Sequence, residues 1–388
     1  MKRNADSKHT LVLHIGTAKT GTTSIQKFLS DNAEELRRYG WYYPPFTKIW
    51  YQMERGWSPL KLKNGYVFRH SLLDRWDKER MLRLWGLLRS YLIRYNVILS
   101  EEAIWGHPAV DTVKTIRFIK KMYPNIKIIV YLRRQDLYAE ALWNQRVKRD
   151  AIRVGSMREY LKDPRLKKTM DYYTILRGIE HLIGRENMVV RVFEKECLAQ
   201  GDLIQDFFTS LEIPVDWNHL IYHRGGENER LDVDLLAVKR IFNKTYAEYI
   251  SDIDRPSTIV MKNYIDAIRP DKKRFGYMTL EEREDILQRY EKGNQKVAKR
   301  YLNKKDGILF QNRNIQIPVY DANITEREKR IIRLFAKIAA EQDNEMEEMK
   351  QQKPLDYLKK TVSYIIRHVL IRLKRVLYPF IVLLLPYL

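Results

Sequence analysis

The sequence predicts an α/β protein: a central parallel sheet flanked by helices, with a helical C-terminal extension. Three observations carry this. Four apolar runs of strand length recur in the first half of the chain, and helical stretches lie between them. Strands that alternate with helices build parallel sheets covered on both faces. A glycine-bounded loop joins the first run to a helix, and from about Leu231 the apolar periodicity is mainly helical.

Residues 11–15 (LVLHI) form the first strand candidate. The loop Gly16 to Gly21 follows, and then a predicted helix over 22–38 with Ile25, Phe28, Leu29 and Leu36 on one side. Asn96–Ser100 (NVILS) and Ile126–Leu132 (IKIIVYL) are the next two strands, preceded by helical stretches at about 74–94 and 110–123. Residues 187–193 (NMVVRVF) are the fourth. Thr279 with Glu282 has capping-box spacing and opens a helix to about Tyr301; Thr325 with Glu328 opens another from Glu326 toward Lys350. Residues 341–354 are rich in Glu and Gln and read as a solvated helix end or linker. These signals divide the chain into an α/β domain over 1–320, a helical and polar linker over 321–354 and a tail over 355–388.

Composition narrows the functions. The 388 residues are 45% hydrophobic and 12% aromatic, enough for a sizeable core. One cysteine, Cys197, excludes an intramolecular disulfide framework or a multi-cysteine metal site. His219 and His223 are four apart, but no nearby cluster completes a metal site, so no metal is expected. Seventy-one Lys and Arg against 49 Asp and Glu give a net charge of +22, which implies anionic partners: nucleotide, nucleic acid, acidic glycan or anionic lipid. The basic residues form no recognisable nucleic-acid motif. No signal peptide and no apolar run long enough to span a bilayer is expected, which points to a cytoplasmic chain.

The sharpest local signal is His14-Ile-Gly16-Thr-Ala-Lys19-Thr-Gly21-Thr22-Thr23-Ser24. A strand, a glycine-flanked turn and a helix start make an anion site, because free N–H groups and the helix dipole converge there. Gly16 and Gly21 have Walker A separation, but Thr22 stands where that pattern puts lysine, and the lysine sits inside the loop at Lys19. That speaks against an ordinary ATPase or GTPase.

Lys19-Thr-Gly-Thr-Thr-Ser24, directly after a strand, resembles the 5′-phosphosulfate-binding loop of sulfotransferases, which use 3′-phosphoadenosine 5′-phosphosulfate (PAPS). The continuation Ser24-Ile-Gln26 and Tyr39-Gly-Trp-Tyr-Tyr-Pro44 is similar to the bacterial carbohydrate-type branch, and similarity in the order of later segments extends over about 9–312. The resemblance implies a P-loop NTPase-like fold and transfer of a sulfuryl group to a hydroxyl of a carbohydrate or glycolipid, without a metal. It implies that Lys19 stabilises charge on the bridging oxygen, and that Thr20, Gly21, Thr22, Thr23 and Ser24 hold the 5′-phosphate. It further implies that an arginine ending a later strand grips the 3′-phosphate with a serine eight residues on. Arg133 and Arg134 close the strand Ile126–Leu132, and adjacent arginines suit phosphate recognition, but the eighth residue after Arg133 is Ala141.

A general base is needed to deprotonate the acceptor. Ser100-Glu101-Glu102 follows a strand, and alternation puts Ser100 and Glu102 on one face. Glu102 is the first candidate, Glu101 the reserve, and His70 a rival. Residues 46–72 carry Trp50, Tyr51, Trp57, Tyr66, Lys61, Lys63 and Arg69, a set suited to a sugar-binding pocket or to a surface insertion. The tail has seven Lys or Arg and one Asp over 351–388, with apolar residues at helical spacing from Leu355 to Val376 and 13 uncharged residues over 376–388. It reads as a peripheral anchor to an anionic inner membrane face, or as a helix packed on the domain or a partner. The competing readings of the whole chain are a P-loop-type kinase or nucleotide phosphohydrolase, and a non-enzymatic basic membrane- or nucleic-acid-binding protein.

Overall fold

The computed structural model describes residues 9–51, 62–73, 78–106, 112–149, 155–222, 233–250, 257, 276–314, 316–319 and 324–350. Two compact units emerge. The first comprises Met1–Asn144, Gly155–Glu229 and Lys273–Tyr320; the second comprises Gln145–Val154, Arg230–Lys272 and Asp321–Leu388.

The first unit is built on a five-stranded, all-parallel sheet of order β2-β3-β1-β4-β5: β1 Leu11–His14, β2 Trp41–Tyr42, β3 Asn96–Ser100, β4 Ile126–Leu132 and β5 Met188–Val192. In register, His14 of β1 stands beside Ser100 of β3 and Ile129 of β4. The strands read as continuous apolar runs because both faces are buried. Leu11, Leu13, Val97, Leu99, Ile128 and Val130 enter one core cluster. Val12, Ile98, Ile129 and Tyr131 enter the other, with Ile25, Phe28 and Leu29 of helix Thr22–Asp31.

The predicted helix over 22–38 is two helices, Thr22–Asp31 and Ala33–Arg38. The break is at Asn32, whose buried amide donates to the Phe28 and Ile221 carbonyls, each at 2.9 Å, and accepts the Ile221 N–H at 2.7 Å. A side-chain amide that competes with the backbone in this way favours a turn over a continuing helix. Strand β2, only two residues long, is too short for any periodicity to announce it. The helices preceding β3 and β4 run over Lys78–Leu92 and Thr112–Met122. The Thr279–Glu282 capping box forms, with reciprocal bonds of 3.0 and 3.1 Å, and opens helix Leu280–Tyr301.

In the second unit, helices Val233–Tyr246 and Glu326–Lys350 pack through Phe242, Tyr246, Ala336 and Ala340. The Tyr246 hydroxyl donates to Asp343 at 2.5 Å. The Thr325–Glu328 box starts the second of these helices. The predicted tail over 355–388 lies outside the described residues.

Candidate functional site

In a parallel sheet, ligands bind beyond the carboxyl ends of the strands, at the point where successive connections leave in opposite directions. Here that point lies at β1 and β4: from β1 the chain goes on to β2 and β3 on one side, and from β4 to β5 on the other. The segments that end β1, β3 and β4 are Gly16 to Gly21, Ser100 to Glu102, and Arg133-Arg134.

The loop after β1 is anchored from below. Thr17 donates its N–H and its hydroxyl to the Tyr131 carbonyl, at 3.2 and 2.9 Å, and the Thr20 hydroxyl donates to the Thr17 carbonyl at 2.6 Å. Lys19 takes a left-handed conformation at φ 68°, and Gly21 does so at 72°. A Cβ on Gly21 would stand 2.2 Å from the Leu203 side chain, so both the backbone angle and the space demand glycine. Helix Thr22–Asp31 starts there with no side-chain cap and no acid in its first turn. Its amino end therefore keeps its positive potential for an external anion.

At the end of β3 the two glutamates part. Glu101 is buried and packs toward Gly65; its Oε1 accepts the Ala103 N–H at 2.9 Å, and Arg69 Nε lies 4.0 Å away. Burial pushes its carboxyl above the ordinary range, against the pull of Lys63. Glu102 takes the Lys63 ammonium on Oε1 at 2.5 Å. Burial opposes its ionisation, but the Lys63 ammonium and the nearby Thr22 hydroxyl outweigh it, and its carboxyl lies below the usual range. Its other oxygen, Oε2, is buried without a hydrogen bond among the described residues.

The arginines at the end of β4 part as well. Arg133 is half-buried, and its Nη1 donates to the Lys19 carbonyl at 2.8 Å, which ties the loop across the switch point. Arg134 is 3% exposed. It forks onto Asp136 at 2.7 and 2.9 Å and donates to the Asn312 and Asn314 carbonyls at 2.5 and 3.0 Å. Asp136 also receives Arg283 at 3.0 Å, and Arg283 reaches Glu140 at 2.8 Å. Of the two predicted phosphate-binding arginines, the structure brings Arg133 to the loop and commits Arg134 to the scaffold.

Three contributors went unassigned in the sequence. His14, 1% exposed, bonds through Nδ1 to Ser100 Oγ at 2.8 Å. Gln26 Nε2 donates to the same oxygen at 3.0 Å. With Gln26 donating, the Ser100 hydrogen goes to His14 Nδ1, which puts the ring proton on Nε2. That nitrogen lies under Gly16, where a Cβ would stand 3.1 Å from it, and it has no partner among the described residues. Burial lowers the His14 pKa to about 4, so the ring is neutral. Asn64 fixes the other side of Ser100, accepting its N–H at 2.9 Å. At a strand end His14 gave no signal of its own; its match in register with Ser100 did not exist until the sheet was formed.

No family model matches the chain. An uncharacterised protein of Archaeoglobus fulgidus is 24% identical over 258 residues, 61% of this chain, and the match spans 64% of that relative's length. A crystal structure of a sulfotransferase from Alicyclobacillus acidocaldarius is similar at a TM-score of 0.34 and 19% identity, over 56% of this chain and 87% of that one. Neither likeness assigns the chain to a family.

The remaining predicted site residues fall as follows. Thr22 is buried beside Glu102, while Thr23 and Ser24 are half-buried on the first turn of the helix. His70 lies on helix Tyr66–Leu73, with its side chain outside the described residues, as are the side chains of Trp50 and Tyr51 and the whole of Lys61 and Trp57. Arg69 stacks over the Tyr66 ring at 4.9 Å. Among the described residues, no three His, Cys, Asp or Glu side chains gather as metal ligands. No helix among the described residues is long and apolar enough to cross a membrane. The site thus combines an uncapped helix start, a lysine inside its loop, an arginine across the switch point and a half-buried carboxylate with one oxygen unpartnered among the described residues. Such a set can bind a polyanion and accept a proton beside it.

Proposed function

We propose that the chain is a PAPS-dependent sulfotransferase that acts on a hydroxyl of a carbohydrate or lipid-linked glycan. The observation that carries this reading is the juxtaposition, at Thr22, of the Lys19 loop with an ionised, half-buried Glu102. An anion cradle and a proton acceptor meet at one point. PAPS, when bound, would supply an activated sulfuryl group on a doubly phosphorylated nucleotide. The uncapped amino end of helix Thr22–Asp31 and the Thr22, Thr23 and Ser24 hydroxyls would hold its 5′ side, and Arg133 its 3′-phosphate.

On this reading the chain's own residues divide the work. Lys19 would bring an ammonium to the negative charge that grows on the leaving oxygen, a form of stabilisation that acts mainly in the transition state. Glu102 offers Oε2 to the acceptor hydroxyl while Lys63 holds Oε1 and keeps the group ionised. His14, neutral with its proton on Nε2, supports the loop at Gly16 without adding charge. Tyr66, with the buried Arg69 stacked over its ring, would line the acceptor side.

Thermal shift separates this from a kinase. Adenosine 3′,5′-bisphosphate should raise the melting temperature, and ATP with magnesium should not; the opposite preference would favour the kinase. Lys19→Ala should keep the melting temperature and lower sulfuryl transfer by about 10²–10³-fold. Transfer of labelled sulfate to cell polysaccharide and lipid extracts is the readout, and full activity in that variant would refute the role given to Lys19.

A further inference from the structure

We propose that His14 is the positioning residue for the base: its Nε2–H donates to Oε2 of Glu102 and holds that carboxylate in its working orientation. This rests on the sulfuryl-transfer reading, in which Glu102 takes the acceptor proton. Its ground is a pair of buried polar atoms of opposite kind. His14 Nε2 and Glu102 Oε2 are each shielded from solvent and without a hydrogen-bond partner among the described residues. Buried donors and charged oxygens left unpaired are costly and rare. A donor and an acceptor orphaned at one site answer each other.

Both atoms lie close to Thr22. A Cβ at Gly16 would stand 3.1 Å from His14 Nε2 and 2.7 Å from the Thr22 methyl group. The Thr22 hydroxyl is in turn beside the Glu102 carboxylate. The backbones are joined as well, since the His14 carbonyl accepts the Glu101 N–H at 3.0 Å, one residue before Glu102. Glu102 is near enough for its charge to favour a protonated His14, although burial outweighs that pull and keeps the ring neutral. The direction of the hydrogen bonds is set from the far end. Gln26 donates to Ser100 Oγ at 3.0 Å, Ser100 donates to His14 Nδ1 at 2.8 Å, and Nε2 is left as the donor. Tyr131 and Phe207 flank the ring edge-on, with centroids at 6.3 and 5.6 Å, and keep it from swinging toward another acceptor.

A neutral donor suits this place. Lys63 already holds Oε1, so a second cation on Oε2 would quench the base. An N–H orients the carboxylate and leaves it its charge. One carboxylate oxygen accepts two hydrogen bonds, so Oε2 can take His14 and the acceptor hydroxyl together. Once the proton has arrived the carboxyl is neutral and the bond from His14 weakens. The donor therefore favours the ionised form, the one that a base needs at the start of the reaction.

The test titrates Glu102 in the full chain by carbon NMR of glutamate-labelled protein, with Glu102→Gln to assign its signal. The titratable and charged groups around this carboxylate are Lys63 ahead of helix Tyr66–Leu73, Tyr43 after β2, Glu101 beside it with Arg69 behind, and His14 on β1. Only His14 is changed. His14→Leu should raise the Glu102 midpoint by about one pH unit and lower kcat about tenfold, with KM for the acceptor and bisphosphate affinity unchanged. His14→Gln, whose side-chain amide offers a donor where Nε2 stood, should restore most of both. An unmoved midpoint in His14→Leu would overturn the proposal, and so would equal losses in the Leu and Gln variants. If His14→Leu melts early, a high-resolution crystal structure of the wild type decides: Nε2 bonded to Oε2 supports the proposal, and Nε2 bonded to the loop backbone overturns it. A midpoint that moves as expected in a protein that transfers no sulfuryl group would keep the His14–Glu102 bond and refute the sulfuryl-transfer reading instead.

Discussion

The carboxyl ends of β3 and β4 each carry a doublet of like charge, and each doublet is divided in the same way. At β3, Glu102 meets the loop at Thr22 while Glu101 is spent on the Ala103 N–H, with Arg69 at its side. At β4, Arg133 ties the loop at Lys19 while Arg134 is consumed by Asp136 and two carbonyls. The reason is local. Adjacent residues just past a strand end leave the backbone in different directions, so the two like charges of each doublet meet different partners. The inward member survives burial only by gaining partners of opposite charge or backbone donors. In the proposed function each doublet is therefore one ligand-side group and one scaffold group.

The largest test breaks the β4 doublet. Arg134→Ala would leave Asp136 and Glu140 to the single guanidinium of Arg283 inside the protein. The expected loss is about 3–5 kcal/mol, read as a fall in the urea midpoint, with bisphosphate affinity changing only through the folded fraction. Arg133→Ala should reverse the pattern: a midpoint within about 0.5 kcal/mol of wild type, and bisphosphate binding weakened about tenfold. If both variants melt alike, the division is wrong.

The β3 doublet is tested by rate. Glu102→Gln keeps shape but removes the proposed base, and kcat should fall about 10³-fold with KM for the acceptor little changed. Glu101→Gln should keep most of the rate. As the proposed base, Glu102 would act as an anion, and its pKa lies below the ordinary carboxylate range, so wild-type activity should hold as pH falls through that range and drop only below it. A rate loss centred at the ordinary glutamate pKa or above it would point to Glu101, whose carboxyl is raised.

Sequence reasoning reached the β1 loop because its message is local: glycines at fixed spacing, a lysine between them and a helix start directly after. The strands β3 and β4 were legible to the residue, since runs buried on both faces stand out without any periodicity. What stayed hidden depends on pairs distant in the chain. Arg134 reads like Arg133 until Asn312 and Asn314 arrive from 178 and 180 residues away. Lys63 reads as a sugar-pocket cation until it meets Glu102, 39 residues on. His14 reads as an ordinary strand end until β3 sets Ser100 beside it, 86 residues away.

His14, on the strand between the doublets, gives the next test. Its pKa falls from 6.5 to about 4 on folding, because burial disfavours the charged ring. The fold binds the neutral form, so this contribution is complete above pH 6.5 and is lost as pH falls from 6.5 toward 4. The two values correspond to a loss of up to about 3 kcal/mol. Urea midpoints of wild type and His14→Gln at neutral pH and near pH 4.5 isolate it, because the other titrating groups cancel in the difference. Parallel pH profiles in the two proteins would show that His14 is not held neutral by the fold.

The smallest effect concerns what Arg133 lacks. The resemblance to sulfotransferases calls for a hydroxyl eight residues after the arginine, and Ala141 stands there, half-buried on helix Gln135–Arg149. Two turns of helix beyond Arg133, a serine would add one donor with one extra atom, a change that the helix tolerates within a few tenths of a kcal/mol. A hydrogen bond to a charged phosphate contributes about 1.5 kcal/mol, so Ala141→Ser should tighten bisphosphate binding about tenfold or somewhat less by calorimetry. The gain should vanish in the Arg133→Ala background if both groups grip one phosphate, because that phosphate would no longer be held within reach of the new hydroxyl. An undiminished gain without Arg133 would place the 3′-phosphate elsewhere, and the ligand side of the β4 doublet would have to be redrawn.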